Sequence, residues 1–66
     1  MVEIDLKIKG KTVFEYEANS VPRVGEYLDI SHDVISGSYK VTKVTHRIFQ
    51  ERKNKNIVNY VIVEAE

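Results

Sequence analysis

The sequence contains no cysteine and no tryptophan, one proline, three glycines and one methionine. Without cysteine the chain has neither a disulfide nor a thiolate zinc site to brace it, and its composition carries no sign of an oxidising compartment. Gly10, Gly25 and Gly37 stand far apart, so no glycine-rich loop is present to cradle a phosphate, and no cofactor or small-molecule substrate is expected. No uncharged apolar run approaches the ~20 residues that cross a bilayer as a helix. The first five residues alternate charged with apolar instead of placing a basic segment before an apolar one. The expectation is a cytoplasmic chain with no signal peptide and no membrane partner. Helix is also missing: no window shows apolar residues at three-and-four spacing with a cap and a stop.

What remains is strand. The chain has 66 residues, which gives one domain over 1–66. At that size only about 60% of the unfolded surface leaves water on folding, so a single core is near the minimum for stability. Val2, Ile4, Leu6 and Ile8 share one face of a period-two alternation, and Phe14, Tyr16 and Ala18 share one face of the next. A three-residue loop over Lys9–Lys11 pairs Ile8 with Thr12, Leu6 with Phe14, Ile4 with Tyr16 and Val2 with Ala18, which merges the two apolar sets. Val21-Pro22-Arg23-Val24-Gly25 reads as an extended crossing segment, because proline biases its predecessor to extended geometry and cannot donate to a central ladder. Gly25 is expected to make a tight corner. In the strand after it, Leu28 and Ile30 point inward and Tyr27 and Asp29 outward. Ser31 to Ser38 is turn-rich and reads as an irregular loop.

Between Tyr39 and Phe49 the apolar parity changes, from Tyr39 and Val41 to Val44, His46 and Ile48. A strand that switches faces is bulged or sharply bent, and such bends turn the corners of small barrels. An Asn54-Lys55 turn pairs Phe49 with Tyr60, Ile48 with Val61, Arg47 with Ile62, His46 with Val63 and Val44 with Ala65. Both faces of this last hairpin are then apolar: Val44, Ile48, Val61, Val63 and Ala65 on one, Phe49, Val58, Tyr60 and Ile62 on the other. Either a subunit covers the second face, or the barrel coils enough that each half of the strand meets the core in turn. The pattern as a whole predicts an all-β fold, a small five-stranded antiparallel barrel of SH3-like type, with an OB-like barrel as the alternative.

The segments VPRVGEYLDI, GSYKVTKVTHRIF and NYVIVEAE resemble small bacterial and phage-borne proteins of SH3-like barrel type. Gly25-Glu26-Tyr27-Leu28 is also similar to the opening of KOW-type modules, although the second glycine of such modules has no clear counterpart here. The resemblance covers about two-thirds of the chain. It implies a barrel and a possible phage or mobile-element origin, and it implies no activity.

Formal charge sums to zero, yet it is unevenly placed. From Lys40 to Lys55 six cations, Lys40, Lys43, Arg47, Arg52, Lys53 and Lys55, stand against Glu51, leaving +5. A solvated hairpin tip is the ordinary reading of such a stretch. The other is a polyanion-binding ribbon on which Tyr27 and Tyr39, as outer aromatics, stack bases, although Lys40 and Arg47 have opposite strand parity.

Ser31-His32-Asp33 brings together three residue types of a nucleophilic triad. Neighbours on an extended chain point to alternate faces, so adjacency does not build the relay, and no enzyme is expected. His32, Asp33 and His46 have no metal-ligand spacing, no metal site is expected, and His46 reads as a packed histidine bonded locally. The function expected is therefore binding. The first reading is a non-catalytic module that takes a protein partner or forms a homodimer through Phe49, Val58, Tyr60 and Ile62. The alternative is a nucleic-acid-binding barrel using the basic hairpin.

Overall fold

The computed structural model describes residues 1–33 and 35–66, with Phe14 described by its backbone. Five strands follow in order: β1 (Val2–Ile8), β2 (Lys11–Ala18), β3 (Tyr27–Ser31), β4 (Ser36–Gln50) and β5 (Ile57–Ala65). They form one sheet in the order β2-β1-β5-β4-β3, curled into a half-barrel. The all-β, five-stranded expectation holds. One pairing departs from it: β1 lies parallel to β5, with Ile4 opposite Val61 and Leu6 opposite Val63, so the sheet is mixed and not wholly antiparallel. Among the described residues no helix is long and apolar enough to cross a membrane.

The core follows from the alternation. Ile4, Leu6, Ile8, Val61, Val63, Ala65, Val41 and Ile30 are buried together on the concave side, with Val44 opposite Val63 and Val41 opposite Ala65 across the β4–β5 pair. Removing such side chains from water is the main stabilising term, worth about 1.5–3 kcal/mol for each fully buried Val, Leu or Ile. Leu28 and Tyr39 pack on the same cluster, whereas Tyr27 and Asp29 face outward.

The first hairpin keeps the expected partners Leu6–Phe14, Ile4–Tyr16 and Val2–Ala18. Its loop differs. Lys7 pairs with Thr12 and Ile8 with Lys11, so Lys9-Gly10 is a two-residue turn and Val13 is the extra residue of a bulge. Positive φ at both turn residues, 52° and 86°, is the geometry whose twist matches the flanking strands. The bulge absorbs the one-residue slip that this turn would impose on the core face, and it lets Val13 pack against the core.

The parity change in β4 is also a bulge. Val41 pairs with Ala65 and Lys43 with Glu64, leaving Thr42 as the extra residue. The last hairpin closes with a longer tip than expected. Gln50 pairs with Ile57, Phe49 with Val58 and Arg47 with Tyr60, two residues out of the anticipated register. Glu51 N–H donates to Asn56 O at 2.8 Å and Lys55 N–H to Glu51 O at 3.0 Å. These bonds satisfy the tip over residues 51–56, with Lys55 at φ 57°, so Asn54-Lys55 is not a two-residue turn. Because the slip is even, every side chain keeps its anticipated face.

The β2–β3 connection carries the chain from one edge of the sheet to the other. At its end Glu26 N–H donates to Arg23 O, and Gly25 takes φ +94° between them, as the third position of a type II turn requires. Gly25 N–H then bonds Val41 O at 2.9 Å and Val41 N–H bonds Glu26 O at 2.8 Å, fixing the corner to β4. The stretch read as a long irregular loop is shorter than expected. Ser31 belongs to β3 and pairs with Ser36 of β4, leaving only residues 32–35 between the strands; Val34, part of that expected loop, lies outside the described residues.

Candidate functional site: the convex face of the sheet

Residues that alternate with the core side chains line the convex face, and the strand registers place them in rows. Glu17 is opposite Glu3, Glu3 opposite Tyr60, and Tyr60 opposite Arg47. The next row runs Glu15, Asp5, Ile62, Thr45, and the one after it Lys7, Glu64, Lys43. Chemistry therefore varies across the strands: acids on β2 and β1, an apolar seam on β5, bases on β4. Phe49 continues the seam beside Val58 and is 44% exposed. Val58, Tyr60 and Ile62 are half-buried although, among the described residues, no other strand lies over them. The four residues singled out as a protein-interface candidate thus form one contiguous outward patch.

Beyond the reach of β1 and β3, the β4–β5 hairpin continues as a two-stranded ribbon, which accounts for the 41 × 24 × 22 Å shape. Ile48 and Ile57, 67% and 70% exposed, lie on its other side. His46 shares that side. It is exposed and borders a shallow groove with Val21, Pro22, Val24 and Val44. The expectation of a packed histidine is corrected: His46 stands opposite buried Val61, but β3 pairs with β4 only as far as Lys40, so at His46 β4 is an outer edge of the sheet.

The basic residues fall differently from the parity argument. Thr42, as the extra residue, restores the phase, so Lys40, Lys43 and Arg47 share the convex face with Tyr27, which pairs with Lys40. Tyr39 does not join them. It stands opposite Leu28 on the core side and donates its hydroxyl to Ser36 O at 3.2 Å. It lies before the bulge, in phase with buried Val41, and is not an outer aromatic. Arg52, Lys53 and Lys55 are exposed at the ribbon tip.

The carboxylates of Glu3, Asp5 and Glu15 lie within 4.8 Å of one another on the open acidic side. The cluster is not evident along the sequence, because Glu15 lies ten residues from Asp5 and twelve from Glu3. The expected hairpin register nevertheless contained the signal, since pairing Ile4 with Tyr16 sets Asp5 opposite Glu15 and Glu3 opposite Glu17. Ser31, His32 and Asp33 are all exposed where β3 ends. Edge strands β2 and β3 leave an opening of about 440 Å³ bordered by Leu6, Tyr16, Leu28, Ile30 and His32. Burial beside this opening raises the Tyr16 phenol above its ordinary pKa.

No family of known proteins matches the chain, nor does any curated protein or solved structure.

Proposed function

We propose that this chain is a non-catalytic cytoplasmic interaction module that binds a protein surface through the convex face centred on Tyr60 and Ile62. The observation that carries the reading is the seam itself: Phe49, Val58, Tyr60 and Ile62 run outward along the sheet with no element of the described residues over them. An antiparallel pair with one solvated face ordinarily alternates apolar with polar, and β5 does not. Apolar surface rimmed by charge of both signs is the composition of a recognition surface. Ser31, His32 and Asp33 are exposed neighbours at the end of β3, and adjacency in sequence does not assemble a catalytic relay.

A dilute sample titrated with an anilinonaphthalene dye tests this. The wild type is expected to enhance the dye's fluorescence, and Tyr60→Ser with Ile62→Ser is expected to remove most of the enhancement while the β-type circular dichroism persists. A wild type that leaves the dye unaffected refutes the reading.

A second reading has its own support, since the Thr42 bulge aligns Lys40, Lys43 and Arg47 with Tyr27. Such a stripe suits single-stranded nucleic acid. Against it, Lys43 stands opposite Glu64, and the main-chain bonds of Lys40 set Glu66 beside it. Five phosphate contacts would give a log-log salt slope near −3.5 on an oligonucleotide; a weak, flat response ends that reading.

A further inference from the structure

The convex face pairs an acidic half with a basic half on either side of an apolar line, and this arrangement is complementary to itself. β1 and β4 flank β5 at equal spacing, about 4.8 Å on each side. A rotation of 180° about an axis running along β5, just outside the sheet, brings a second copy face to face with the first. It lays β4 of one copy over β1 of the other and β5 over β5. Because the axis runs along the strands, it also preserves the rows. Glu3 and Arg47 share the Tyr60 row, so Glu3 of each copy then meets Arg47 of the other, twice over, with Tyr60 against Tyr60 and Ile62 against Ile62 between them.

A second in-plane axis over the same seam runs across the strands. It would stack β4 on β4 and β1 on β1, setting like charge on like at a cost of several kcal/mol. Of these two axes, charge over the Tyr60 row favours the one along β5. The acidic half gives independent support: Asp5 facing Glu15 and Glu3 facing Glu17 are directly opposed like charges, which destabilise an isolated sheet. Arg47 of a second copy, set over Glu3, offsets the repulsion between Glu3 and Glu17, while Asp5 meets uncharged Thr45.

We infer that the convex face is a homodimer interface, packed sheet to sheet about a two-fold axis parallel to β5, with Glu3 of each copy facing Arg47 of the other. The inference rests on the reading of this face as a protein-binding surface and names its partner as a second copy of the chain. The row of Lys7, Glu64 and Lys43 repeats its own signs across the axis and marks the edge of the contact. A standard interface buries about 800 Å² a side, roughly a sixth of the 5171 Å² monomer surface. Three strands supply less than that, so the dimer is a weak one with a concentration-dependent population.

Sedimentation velocity from micromolar to millimolar protein, at low and high sodium chloride, provides the test. The wild type is expected to show a monomer–dimer equilibrium that salt weakens. Glu3→Arg and Arg47→Glu alone should each raise the dissociation constant by more than about tenfold, because each sets like charges together twice. The double variant Glu3→Arg/Arg47→Glu rebuilds both pairs with their signs exchanged and should return to within about threefold of the wild type. Circular dichroism and a thermal melt on each variant establish that it is folded. A wild type that stays monomeric throughout, single variants that dimerise normally, or a double variant that shows no rescue would each overturn the inference. The dye titration separates its failure from that of the broader reading: a monomer that binds dye presents this face to a different protein, and a monomer that binds none loses both.

Discussion

Asp5 stands directly opposite Glu15 across the β1–β2 pair, and on the same face Glu3 stands opposite Glu17. Directly opposed like charges on neighbouring strands cost a few tenths to about 1 kcal/mol each. Glu15→Lys replaces repulsion by attraction, and the monomer should gain about 0.2–1 kcal/mol in urea unfolding at low protein concentration and low salt. The gain should shrink at 0.5 M sodium chloride, where exposed charges are screened. An unchanged or lower unfolding midpoint would mean that the acids do not repel one another.

Leu6 and Ile57 are both apolar strand residues, and their substitution should have very different consequences. Leu6 is 1% exposed in the core, whereas Ile57 is 70% exposed where the ribbon begins. Leu6→Ala should cost about 2–5 kcal/mol. At about 0.05–0.15 kcal/mol per residue, that is a large share of the stability of so small a domain. Ile57→Ala should stay within about 0.5 kcal/mol. Denaturant unfolding monitored by circular dichroism measures both, and equal effects would contradict a core that ends before the ribbon.

The difference between these residues shows what was legible in the sequence. Alternation reports a local property, which face each side chain takes, so the five strands, the inward Leu28 and Ile30 and the bent β4 could all be read directly. The bend was visible because an extra residue leaves a mark in the parity of Val41 and Val44, and the structure makes Thr42 that residue. Register in the last hairpin depended on the tip, where backbone bonds from Glu51 and Lys55 decide the loop length and no residue type announces it. The parallel contact of β1 with β5 joins segments more than fifty residues apart, and alternation carries no information about which strand is a neighbour. The face of Tyr39 is hidden for a related reason: its position before the bulge sets it, and aromatic character alone leaves it open. The charge division of the convex face depends on both the bulge and the parallel pair, so it emerged only with the topology.

Gly25 occupies a position that a side chain would strain. Its φ is +94°, and an added Cβ would meet nothing within 4 Å, so any cost of substitution is conformational and not a clash. Gly25→Ala should destabilise by about 1–2 kcal/mol, the usual cost of holding a non-glycine residue in that region. Gly25→Asn should cost less, because asparagine visits positive φ more readily. Paired urea unfolding curves check the order, and an alanine variant as stable as the wild type would show that the corner does not need this conformation.

Tyr16 gives the fold a dependence on alkaline pH. Its side chain borders the opening between the edge strands beside Leu6 and Leu28, and burial there holds the phenol above the ordinary value of 10.0. In the unfolded chain the phenol loses its proton near that ordinary value, while in the folded chain it keeps it to higher pH. Over that interval the folded state binds more protons, so stability falls as pH rises. The contribution is fully present below about pH 10 and disappears as pH climbs through the folded-state value. Tyr16→Phe keeps the ring and removes the titration. Other groups titrate in the same range, so the informative quantity is the difference between the two proteins in urea unfolding from pH 8 to 11.5. That difference should be constant up to about pH 10 and then move in favour of the phenylalanine variant. Parallel curves across the whole range would mean that the Tyr16 phenol is as well solvated in the folded chain as in the unfolded one.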